Sequence, residues 1–209
     1  GRAVMLSAAY GIANFTEALL VATLLLRVSG PAPTFGRVRE GLGLNLLATT
    51  VGAQLSAGLA VLSLQGNGTR VPWLSWLLWS LSVLLGTILV APPIVAMLRE
   101  PPWQRRGQPR LLETIGLVAA LVAGTAVLFS RDSTVASVPL LILPYPLLIW
   151  AALRLRPAMA QLLVLLLAGL ATWYTVHGTG PLMLLGGDTA QRIVWLQGYL
   201  LVCVVSTQL

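Results

Sequence analysis

Four polar side chains recur along the first apolar stretch of the sequence: Ser7, Tyr10, Asn14 and Glu17 stand three, four and three residues apart. If the stretch is helical, that spacing puts all four on one face. An amide and a carboxylate one turn apart can bind a ligand, hold a proton, or clamp two helices through hydrogen bonds. A second stretch carries Asn45, Thr49, Gly52 and Ser56 on one face, a milder pattern that suits close helix packing. Asn14, Glu17 and Asn45 are therefore the candidate residues of an intramembrane polar or signal site.

Elsewhere the chemistry is thin. His177 is the sole histidine and stands where an apolar run meets Gly178. It is a weak ligand candidate, able to titrate near neutral pH or to hold a pigment, but equally a capping or interfacial residue. A zinc site needs further Cys, His or carboxylate ligands, so no metal is expected. Cys203 is the single cysteine, which rules out an intramolecular disulfide. The sequence holds no glycine-rich phosphate loop, nucleophile elbow or paired carboxylates, so no catalytic residues are assigned and no enzyme is expected.

These residues must be positioned by membrane helices. Of 209 residues, 57% are hydrophobic and 9% charged, more apolar surface than a soluble core of this size could bury. The fold class read from this is an all-α integral membrane protein, a single bundle of about seven transmembrane helices with the lipid bilayer as its surroundings. Runs near the length needed to cross the hydrocarbon core occur at about 3–26, 41–64, 73–98, 111–129, 138–153, 158–176 and 193–209. Pro139, Pro144 and Pro146 should kink or break the fifth. The net charge of +7 comes from arginines scattered between apolar runs, which excludes a nucleic-acid surface. With no lysine anywhere, a retinal Schiff base is chemically impossible; contact with a lipid, quinone or other pigment stays open.

Arginine placement gives an orientation, because cytoplasmic loops accumulate it. Arg27, Arg37, Arg39, Arg99, Arg105, Arg106, Arg110, Arg154 and Arg156 fall in the first, third and fifth loops, against Arg70, Arg131 and Arg192 in the others. A multi-pass protein of the bacterial cytoplasmic membrane is expected, with its N-terminus outside and its C-terminus in the cytoplasm.

Four stretches carry a family resemblance: Ala13–Arg27, Trp79–Pro93, Pro144–Pro157 and Thr172–Leu182. In order and spacing they resemble the bacterial membrane-associated sensor domain of the first MASE class, a multi-helix module that precedes cytoplasmic kinase, cyclase or phosphodiesterase domains. Residue by residue, the resemblance points to Asn14, Glu17, Trp79, Gly86, Pro92, Pro146, Trp150, Arg154, Gly178, Gly180 and Pro181. One departure stands out: where the family has a Gly-Asp pair, this chain has Ser82 and Val83.

The resemblance implies a sensory input module that relays a signal to an output domain beginning beyond Leu209. The alternatives are an accessory subunit of a larger membrane assembly, energy-transducing or pigment-containing, and a transporter. A homodimer or other membrane subunits are the partners these readings allow.

Overall fold

In a computed structural model, residues 2–30, 38–66, 68, 73–99, 111–130, 138–185 and 188–208 are described, and they are helical almost throughout. The first apolar run is helix α1 (Arg2–Ser29), and the second is α2 (Val38–Leu47), a π-helical turn (Ala48–Gly52) and α3 (Ala53–Gly66) in one continuous stretch. Then follow α4 (Trp73–Arg99), α5 (Leu111–Ser130), α6 (Pro144–Arg154), α7 (Pro157–Val176) and α8 (Thr189–Gln208). Among the described residues, five helical stretches are long and apolar enough to cross a membrane, and a shorter apolar one spans Pro139–Arg154. The stretch containing α8 is helical but falls outside those five. Half of the arginines used for orientation, Arg37, Arg70, Arg105, Arg106, Arg110 and Arg131, lie outside the described residues.

Local sequence accounts for the irregular points. Pro139 and Pro144 divide the fifth run into a 3-10 turn (Pro139–Ile142) and α6, each proline standing in a first turn, where its missing N–H is not needed. In α4, Pro92 and Pro93 sit inside the helix and remove the donors that would ordinarily serve Ile88 and Leu89, yet the helix continues to Arg99. Membrane helices tolerate such interruptions because neighbouring groups take over the freed bonds. The π-helical turn is of the rarest helical type, and its last residue, Gly52, is buried.

The chain forms two compact units, Gly1–Ile88 and Leu89–Leu209. In the first, α1 packs along α2, the π-helical turn and α3. Its buried apolar residues are small where the helices meet: Ala13, Ala48, Ala53, Ala57 and Ala60, with Val21 and Leu44 beside them. Small side chains allow the close backbone approach on which association in lipid depends.

In the second unit α5, α6, α7 and α8 pack on one another, around Phe129, which is fully buried. Tyr174 stacks beside Phe129 at 6.4 Å between ring centroids, Tyr199 tilts against it at 6.3 Å, and Tyr145 meets Tyr199 edge-on at 6.2 Å. Large apolar side chains such as Phe15, Leu19, Leu62, Ile115 and Val176 stay exposed along the helices, as lipid-facing surfaces require.

Candidate functional site

Helix α1 carries Asn14 and Glu17 on one side and offers them to α4. Glu17 is only 4% exposed. An ionisable residue at this depth costs about 2.5–3.5 kcal/mol even on the mildest scales, so its surroundings have to compensate. Thr87 Oγ1 donates to Glu17 Oε1 at 3.0 Å, joining α4 to α1. On the other side, Gly52 admits the carboxylate: a β-carbon there would lie 2.9 Å from Glu17 Oε1 and 2.6 Å from Val21 Cγ2.

A second polar chain runs one turn away. The Trp79 indole N–H donates to Ser56 Oγ at 3.1 Å, and Ser56 donates onward to Asn14 Oδ1 at 3.0 Å. Ser56 is fully buried, and both roles of its hydroxyl are used, so α1, α3 and α4 are pinned at one level. Tyr10 closes over Trp79 at 4.8 Å between ring centroids. Between α1 and α4 an open cavity of about 660 Å³ remains, lined by Asn14, Glu17, Ser75, Leu78, Trp79, Ser82, Val83, Gly86 and Thr87. That is within the usual size range of small-molecule sites.

The candidate residues from the sequence separate here. Asn14 and Glu17 face this cavity together with Trp79 and Gly86. Asn45 is not among its lining residues; it stands two turns before Gly52 and is half-buried. The α1 polar face does not withdraw completely from the surface, since Ser7 and Asn14 remain exposed while Glu17 is buried. Ser82 and Val83, where the family pattern has its Gly-Asp pair, both line the cavity.

A second constellation joins α5 and α6 in the other unit. Glu113 Oε1 accepts from Arg154 Nε at 3.0 Å and from the Trp150 indole N–H at 3.2 Å. Trp150 and Arg154 are one turn apart on α6, so one carboxylate oxygen serves both. Pro146 lies exposed in the first turn of the same helix, and Pro92 is buried in α4.

The Gly178–Pro181 segment does structural work at the end of α7. Gly178 and Gly180 have φ of +78° and +97°, and a β-carbon on Gly180 would meet Phe129 Cδ1 at 2.7 Å. Only glycine suits both demands. Pro181 then opens a 3-10 turn, Pro181–Leu184. His177 is exposed, tilts against Trp173 at 4.2 Å between ring centroids and bonds the Trp173 carbonyl through Nδ1 at 2.7 Å, the geometry of a helix-end cap.

Sequence reasoning missed Thr87 and Glu113. Thr87 adjoins Ser75, Trp79, Ser82 and Gly86, whose spacing of four, three and four marks a face of α4 that could have been matched to that of α1. Glu113 is the acid in the first turn of α5, which a search for a partner to Arg154 would have found.

The MASE1 family model matches residues 1–208. The chain belongs to the MASE1 family. The resemblance carried by the four sequence stretches is thereby confirmed, and with it the coarse function: as a MASE1 domain, the chain is a multi-pass membrane module for sensory input. Neither curated proteins nor solved structures yield a match to it.

Proposed function

We propose that this MASE1 domain lies in the bacterial cytoplasmic membrane, N-terminus outside, and relays a signal received at the α1–α4 cavity to a cytoplasmic output domain following α8. The observation that carries this reading is Glu17: a buried membrane carboxylate held by Thr87 beside a cavity large enough for a ligand. Intramembrane ionisable residues mark function by default, because their insertion cost is borne for a purpose. A signal acts only if it binds two helix arrangements unequally, and α4 meets α1 here through side-chain hydrogen bonds that a ligand can replace.

Joining a cytoplasmic diguanylate cyclase domain after Gln208 provides the test. Glu17→Gln should change the attached domain's output at least threefold, whereas Phe15→Leu, on an exposed face of the same helix, should leave it unchanged. Identical output from both variants and the parent would contradict the reading.

A further inference from the structure

The groups lining the α1–α4 cavity are strongly unbalanced in charge. Glu17 is the one ionisable side chain among the nine lining residues, and none of them is a cation. Thr87 uses one acceptor position of a carboxylate that has about four. Trp79 has committed its N–H to Ser56 and is left with its ring. Ser82 and Thr87 have given their protons to the Leu78 carbonyl and to Glu17 and present oxygen lone pairs, Ser75 adds a further hydroxyl, and Leu78, Val83 and Gly86 supply apolar wall. The Asn14 amide is the fixed donor, suited to a neutral oxygen on the occupant.

We propose that this cavity binds a protonated organic amine carried on a small apolar body, its ammonium on Glu17 and its hydrocarbon part against Trp79, Leu78 and Val83. The proposal deepens the sensory reading above and rests on it for the site. A cation there compensates the buried carboxylate, which is otherwise held by one hydroxyl, and a neighbouring indole ring adds cation–π attraction. An anionic ligand would meet Glu17 with no compensating arginine in the lining. A lipid headgroup is a poor source for the ammonium: twelve residues separate Glu17 from Ser29, the nearer end of α1, roughly 18 Å along the helix axis. The occupant is thus a free amine able to enter the bilayer.

The test uses the whole chain in phosphatidylcholine nanodiscs at neutral pH and three probes of matched shape: phenethylammonium, phenethyl alcohol and 3-phenylpropionate. Calorimetric titration should show saturable one-to-one binding of the ammonium, at least tenfold tighter than the alcohol, with no saturable binding of the carboxylate. Glu17→Gln should weaken the ammonium at least tenfold and leave the alcohol unchanged. Gly86→Leu, at a position where an added β-carbon meets nothing within 4 Å, should weaken both by filling the space. No saturable ammonium binding, equal binding of the carboxylate, or ammonium binding indifferent to Glu17→Gln would each overturn the proposal. The two readings fail separately: cyclase output that responds to Glu17→Gln without ammonium binding leaves the sensory role and removes the ligand class. Ammonium binding with an unresponsive output does the reverse.

Discussion

Gly52 stands so close to Glu17 that a β-carbon on the glycine would lie 2.9 Å from the carboxylate oxygen. The same β-carbon would also lie 2.6 Å from Val21 Cγ2, and a β-branched side chain has little rotamer freedom with which to retreat. Gly52→Ala should therefore push α1 away from the π-helical turn and cost about 1–3 kcal/mol, the usual penalty for overpacking. Unfolding in detergent measures it. Gly58→Ala, where an added β-carbon meets nothing within 4 Å, is the matched control and should be neutral or slightly stabilising.

Gly178 and Gly180 separate backbone strain from crowding. Gly178→Ala should cost about 1–2 kcal/mol for its positive φ alone, since its nearest neighbour, Met183 Cε, is 4.0 Å away. Gly180→Ala adds a collision with Phe129 and should cost roughly 1–3 kcal/mol more. Thermal unfolding that ranks the two alike would show that Phe129 gives way freely.

The Glu113 constellation should matter less for stability. Arg154 is about half exposed, so screening limits the ion pair to at most ~1 kcal/mol. Arg154→Lys removes the Nε donor that faces Glu113 while keeping the charge. It should lower the unfolding midpoint slightly, an effect that shrinks in high salt; a loss insensitive to salt would point to packing instead.

Most of the helical architecture was legible in the sequence, because lipid leaves a chain few options: long apolar runs become helices, and the prolines at 139 and 144 mark a break whose chemistry is local. The polar face of α1 was legible for the same reason, through its spacing. What lies opposite that face was not. Thr87 is 70 residues away, and its partnership with Glu17 is a tertiary fact that no local pattern contains. Asn45 failed to join the cavity because periodicity marks a face without saying what it meets; on the Asn45 to Ser56 face it is Gly52 that touches Glu17 and Ser56 that bonds Asn14. The π-helical turn ending at Gly52 alters the helical phase between those two positions, which a uniform 3.6-residue period cannot anticipate.

Substitutions at Glu17 should distinguish hydrogen bonding from shape. Glu17→Gln keeps an oxygen for Thr87 to donate to, and its stability should stay within about 0.5 kcal/mol of the parent, whereas Glu17→Leu should lose roughly 0.5–2 kcal/mol. Expression level and melting temperature in detergent give the comparison. Equal values for the two variants would show that the hydrogen bond is immaterial.

The most direct measurement is a double-mutant cycle on Glu17→Leu, which leaves Thr87 no oxygen to donate to, Thr87→Val and their combination, read by reversible unfolding in detergent. If the carboxylate and the hydroxyl join α1 to α4 across the cavity as their 3.0 Å contact indicates, the coupling should be about 0.6–1.7 kcal/mol, the range of interhelical hydrogen bonds in membranes. Strictly additive losses would mean that the two side chains do not hold each other, and the cavity would lose the group that defines it.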